Sequence, residues 1–229
     1  MKKLDDSKFC FISCVNDDFF YDECQLYLQH LNFPQGMCGE IVAVRDAKSM
    51  TAGYQAAMEA SDAKYKIYLH QDVFVVNKNI LHELLMLFRH NPRIGMIGVA
   101  GATTLNADRP IWWKSNSMCG KVYSKRYTEA IQLESFGDFF GRFRRVAAID
   151  GLFMATQYDL PWRSDLFTDW HFTIYLRAGS LLSMVMRLWW LVRRSHGWYM
   201  IAVLRIWIIV ILLTWKYSRN TISGEGEPL

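Results

Sequence analysis

Between residues 8 and 100 the chain alternates short apolar runs with helix-forming segments, and this alternation restricts the fold more than any other feature. Lys8–Val15 (KFCFISCV), Glu40–Arg45 (EIVAVR), Lys64–Phe74 (KYKIYLHQDVF) and Arg93–Ala100 (RIGMIGVA) have strand length and strand composition. Phe19–Leu31, Ala47–Ala60 and Ile80–Arg89 lie between them and read as helices. Strand and helix in strict turn are the signature of a parallel sheet covered on both faces, so the expected class is α/β. The helix AKSMTAGYQAAMEA is rich in small residues, which lets it pack closely on the sheet or lets a ligand approach its N-terminus.

The third run ends on His70, Gln71 and Asp72, where the chain should leave the sheet. Asn77 is placed to cap the next helix, whose apolar residues fall at 80, 81, 84, 85, 87 and 88. Ligands of open α/β sheets bind at the carboxyl ends of the strands. A carboxylate there can hold a divalent cation, and through it a diphosphate. A cap on a turn is the other reading of Asp72.

After Gly101 the alternation stops. Residues 101–120 read as a long loop carrying Trp112 and Trp113, suited either to stacking on a sugar or base or to plugging the core. Lys121–Tyr127 and Arg144–Ile149 read as strands, followed by an Asp150–Gly151 turn and the apolar LFMAT. No GxGxxG, GxxxxGK[ST] or GxSxG occurs, which disfavours a Rossmann dehydrogenase, a P-loop enzyme and an α/β-hydrolase. The five cysteines, at 10, 14, 24, 38 and 119, have no metal-type spacing. They read as reduced thiols of a cytoplasmic protein. The polar start MKKLDDSK, running into a short FCFISCV, does not read as a signal peptide.

Charge is unevenly spread. The net charge is +4, but residues 171–229 hold 7 Lys+Arg against 2 Asp+Glu, together with five of the nine Trp. The basic balance belongs to the tail and does not argue for a nucleic-acid partner.

The segments FISCVNDD, AKSMTAGYQAAM, YLHQDVFV, IGMIGVAGA, IDGLFMATQYDLPWR and LFTDWHF, in this order and spacing, resemble the glycosyltransferase-like family of the streptomycin-biosynthesis StrF domain. That family is related to the family 2, GT-A type glycosyltransferases. The resemblance covers residues 8–172. It implies a GT-A-like (Rossmann-like), mostly parallel sheet flanked by helices, and transfer of a sugar from a nucleotide-sugar donor to a polysaccharide-type acceptor.

The resemblance also assigns roles. Ser13, Cys14, Val15, Asn16 and Asp17 would contact the nucleotide. His70, Gln71 and Asp72 would stand for the DxD-like element, with Asp72 on a divalent cation, Mn or Mg. Asp150–Gly151 would lie beside the acceptor sugar, and Trp170–Phe172 near the donor, with His171 by the metal or diphosphate. Lys48 and Arg45 could reach phosphates or simply be solvated. An inverting transfer needs a carboxylate base. Asp150 is the candidate, with capping of the Gly turn as its other reading; His171 is either a ligand or a structural histidine.

The chain departs from the family twice. Its QD carries one carboxylate, and Thr173 and Ile174 stand where the resemblance implies Tyr-Asp after Trp-His-Phe, an Asp that is itself a strong candidate for the family's catalytic base. Reading the last base of each codon with the first two of the next restores the missing motifs. Some results are forced by the genetic code: Met184–Val185 gives Gly, Trp189–Trp190 and Trp198–Tyr199 give Val, and Met200–Ile201 gives Asp. Allowed codons elsewhere complete HFYDISQS and KYGYEVVVAGKKEPW, with VHDCG beyond. Residues 173–229 are therefore read as an out-of-frame translation after loss of one base near codon 172.

Taken at face value, 197–215 (GWYMIAVLRIWIIVILLTW) is an apolar helix long enough to anchor the protein in a membrane. Arg205 inside it would cost roughly 2.5–3.5 kcal/mol. A non-catalytic nucleotide-sugar-binding module is the third reading of the whole chain.

Overall fold

The computed structural model describes residues 2–106, 111–125, 130–137 and 143–165, together with the backbone of three short strands beyond them. The first strand, β1 (Asp5–Cys14), is followed by α1 (Asp18–Gln29), β2 (Cys38–Val44), α2 (Met50–Ala60) and β3 (Ala63–Leu69). Side chains of β1 alternate between two cores, as the two-residue period of a strand requires. Phe9 and Phe11 face a cluster with Cys24 and Leu28 of α1, while Cys10 and Ile12 face one with Tyr54, Ala57 and Met58 of α2. Tyr65, Ile67 and Leu69 of β3 join the first cluster and Tyr68 the second.

The chain then turns at His70–Asp72, where Val73 N–H donates to the His70 carbonyl at 3.2 Å. The strand ends before His70–Asp72 as read from the sequence, but Val73 and Phe74, counted in the same run, do not belong to it. Val73–Phe74 is a separate strand, β4, in a second sheet. α3 (Ile80–His90) follows. The six apolar positions read from the sequence are all buried, and each full burial contributes roughly 1.5–3 kcal/mol. Asn79, not Asn77, holds the cap position. Asn77 acts from two residues earlier, accepting from Asn79 N–H at 3.0 Å and donating to Glu83 Oε1 at 3.0 Å.

The fourth expected strand also divides, into β5 (Ile94–Gly98) and β6 (Ala100–Ala102). The segment read as a long loop contains the end of β6, a 3-10 turn at Trp112–Lys114 and the start of β7 (Met118–Ser124). β8 (Gln132–Phe136), β9 (Phe143–Arg145), β10 (Ala148–Asp150) and β11 (Phe153–Thr156) complete the body.

The first sheet runs β2-β1-β3-β11-β5, with β2, β1 and β3 parallel and β11 antiparallel to both β3 and β5. The second sheet places β10, β6, β7 and β8 side by side in antiparallel register. Of residues 173–229 three short strands are described: β12 (Thr173–Tyr175) lies on β10, β13 (Ile201–Ala202) on β4 and β7, and β14 (Ile208–Leu212) on β5 and β9; most of the segment expected as an apolar helix lies outside the described residues. Among the described residues, no helix is long and apolar enough to cross a membrane.

Candidate functional site

The carboxyl ends of β1 and β3 lie together because the two strands are neighbours in parallel register, with Ile12 opposite Tyr68. Ser13 and Val15 are buried there, and Val15 N–H donates to the Val44 carbonyl at 2.8 Å. Cys14 is half-buried, with Sγ 3.8 Å from the Met50 carbonyl oxygen. Asn16 and Asp17 are exposed in the loop that follows. Asp17 caps α1 by accepting from Phe19 N–H at 3.0 Å.

The first turn of α2 packs closely on the ends of β1 and β2, as its small residues foretold. A β-carbon on Gly53 would lie 2.7 Å from Cys14 Sγ and 3.0 Å from the Ala47 side chain. Lys48 is exposed one residue before Ser49, whose hydroxyl caps α2. Arg45 is committed to Asp18, 2.6 Å away.

Gln71 reaches from the β3 turn into the β1 loop. Its Oε1 accepts from Asn16 N–H at 2.9 Å and Asp17 N–H at 3.1 Å, while its Nε2 donates to Asn16 Oδ1 at 2.6 Å. Next to it, Asp72 is half-buried. Burial pushes its carboxyl above the ordinary carboxylate value, partly opposed by His70. Among the described residues, no other side chain donates a hydrogen bond to that carboxylate.

The same turn meets the Asp150–Gly151 turn, since His70 N–H donates to the Leu152 carbonyl at 3.1 Å. Asp150 accepts twice, from Leu152 N–H at 2.9 Å and from Trp112 Nε1–H at 2.8 Å. Gly151 is buried beside it. Of the tryptophan pair, Trp112 is the core plug, packed against Phe136, and Trp113 is exposed at 43%. One run of hydrogen bonds thus passes from Asn16 through Gln71, His70 and Leu152 to Asp150 and Trp112. The sequence reading missed the Trp112–Asp150 pair, because a spacing of 38 residues carries no local signal. Trp170 and His171 lie outside the described residues.

All five cysteines are free. Burial pushes Cys10, Cys14 and Cys24 up to about 12 and Cys119 up to about 11, so these four are neutral at physiological pH.

Asp150→Asn is not a conservative change here. Whichever way the new amide turns, its NH₂ would face one of two N–H donors. The expected loss is about 1–3 kcal/mol in denaturant unfolding, whereas Trp112→Phe, which leaves the carboxylate partly solvated, should cost less apart from its packing. Equal stability of Asp150→Asn and the unaltered chain would contradict the pairing.

A family model described as "Glycosyltransferase like family" matches residues 10–188, most of the chain. The chain belongs to this glycosyltransferase-like family. No curated protein matches it. The mixed α/β body with its largely parallel first sheet is consistent with the GT-A-like fold that such a transferase needs.

For the divalent cation that a GT-A-like transferase implies, the fit rests on Asp72. Among the described residues, no group of three His, Cys, Asp or Glu side chains could hold a metal by themselves. A single carboxylate still suits Mg²⁺ or Mn²⁺ when substrate phosphates and water complete the shell. A cation there would offset the cost of keeping the ionised group half-buried.

Proposed function

We propose that this glycosyltransferase-like protein is a StrF-type transferase that moves a sugar from a nucleotide-sugar donor to a hydroxyl of a polysaccharide-type acceptor. The observation that carries this reading is the meeting of three elements at one edge of the sheet: the β1 loop, the β3 turn with Asp72, and the Asp150–Gly151 turn. In the reaction the bond from the anomeric carbon to the diphosphate oxygen breaks, and its electron pair leaves with the nucleoside diphosphate. The acceptor oxygen forms the new bond and gives up its proton to a carboxylate.

Asp72 would hold Mn²⁺ or Mg²⁺, which supplies charge neutralisation at the leaving diphosphate. Lys48, exposed just before α2, is the proposed further phosphate contact. Asp150 is the proposed base. Its two accepted hydrogen bonds orient the carboxylate and leave each oxygen one lone pair. The reaction is assigned to the cytoplasm, where nucleotide sugars and reduced thiols coexist.

The test is Asp72→Asn, titrated with UDP, GDP, dTDP and ADP, each with Mn²⁺. The unaltered chain should bind at least one, and the variant should bind it at least roughly tenfold more weakly, about 1.4 kcal/mol. Stability should move the other way. A carboxyl raised in the folded state favours folding fully below its ordinary value and loses that contribution as pH rises through the raised one, so ionised Asp72 is a cost at neutral pH. The asparagine variant should therefore have the higher Tm without metal. Equal Mn²⁺-dependent binding by both proteins would make the β3 turn scaffold only.

A second reading concerns residues 173–229 and is favoured by the missing Tyr-Asp carboxylate and the code-forced Gly, Val and Asp. We propose that this tail is out of frame and that the intact protein carries the family's remaining motifs. Re-reading the DNA through codons 165–205 decides it. A missing base supports the proposal; an unchanged reading frame overturns it and leaves a membrane tail or an inactive remnant.

A further inference from the structure

We infer that Gln71 is a positioning residue: it holds the β1 loop in donor-binding shape and does not itself bind the donor. This rests on the transferase reading above and assigns Gln71 a different task within that site. The carboxamide has two ends, and both are turned into the loop. Oε1 takes the N–H groups of two successive residues, Asn16 and Asp17, and Nε2 takes the Asn16 side chain. Those residues directly follow the strand, where backbone conformation decides which N–H groups and side chains face a ligand.

The backbone of the preceding residue faces the other way. His70 N–H is on the Leu152 carbonyl, next to Asp150. The His70–Gln71 dipeptide therefore joins the two halves of the site, its side chain setting the donor loop and its backbone setting the Asp150 turn. Asp72 follows directly in the same turn and is half-buried. The position before Asp72 is taken by a side chain that accepts from two successive amides, over a reach that an aspartate is too short to span.

The experiment compares the unaltered full-length chain with Gln71→Ala and Gln71→Glu. Backbone amide exchange at Asn16 and Asp17 is read by NMR, and binding by titration with UDP, GDP, dTDP and ADP, each with Mn²⁺. Gln71→Ala should accelerate exchange at both amides by roughly tenfold, as expected for losing their acceptor. Amides of Phe11 and Ile67 inside the strands should stay protected, showing that the fold survives. The same variant should weaken nucleotide binding.

Gln71→Glu should restore both readouts, since a carboxylate accepts both N–H groups and the Asn16 amide can turn to donate to it. Unchanged exchange in Gln71→Ala would overturn the inference. So would faster exchange with unaltered binding, or a glutamate variant that restores exchange but not binding, which would put Gln71 on the donor itself. If Gln71→Ala does not fold, the glutamate variant alone decides between these on exchange and binding. Failure of the unaltered chain to bind any of the four nucleotides would instead strike the transferase reading, and is distinguishable because it appears before any substitution is made.

Discussion

Asp159→Ala is expected to lower the unfolding free energy by about 3–5 kcal/mol, the largest loss predicted for any single side chain here. Lys66 lies on the α2 face of β3 with its side chain fully buried. Its ammonium donates to Asp159 Oδ1 at 2.6 Å and to the Ala63 carbonyl at 2.6 Å. Removing Asp159 leaves a buried ammonium with one neutral partner, and an unpaired buried charge is far more costly than the pair is favourable. The reverse change behaves differently. Asp159 is 29% exposed, so after Lys66→Met water can solvate the carboxylate while the methionine fills the same volume. That variant should lose only about 1–2 kcal/mol, most of it the hydrogen bond to Ala63. Urea unfolding of both variants measures the asymmetry, and equal losses would show that burial of Lys66 does not set the cost.

Gly101→Ala is expected to destabilise by about 3 kcal/mol or more, and to disturb the site with it. Gly101 in β6 pairs with Ile149 of β10, the strand that ends on Asp150. A β-carbon at residue 101 would fall on the carbonyl oxygen of Ala148 and within 3.2 Å of Ile149 Cα. Both are backbone atoms of a central strand and cannot rotate aside, so the strands must part. Gly36 is the control. Its φ of +74° strains any other residue, but open space surrounds it, so Gly36→Ala should cost only about 1–2 kcal/mol. Thermal unfolding would rank the two. Trp112 fluorescence should shift in Gly101→Ala alone, because Trp112 is hydrogen-bonded to Asp150.

The parallel half of the fold was legible because its signals are local. Lys8–Val15 declares a buried strand by its unbroken apolar run, and the apolar residues of α3 declare a buried face by helical spacing. Strand ends were less legible. The run 93–100 stays apolar across the bend at Val99 and the strands on both sides of it are buried, so hydrophobicity does not change where the sheet does, whereas the polar His70–Asp72 does mark the end of β3. The element LFMAT was visible as an apolar run. Its insertion as β11, antiparallel between β3 and β5, was not, since nothing in four residues encodes which two strands they will separate.

Sequence by itself determined the α/β class, the first strands and helices, and Asp72 at the end of a buried strand. Tertiary structure alone decided the partnerships that make those residues a site. Gln71 meets Asn16 across 55 residues, Trp112 meets Asp150 across 38, and Lys66 meets Asp159 across 93. Periodicity reports how a segment must face a core, because burial acts on each residue through its own neighbours. Which hydrogen-bonding groups end up opposite one another depends on the order in which strands fill the sheet.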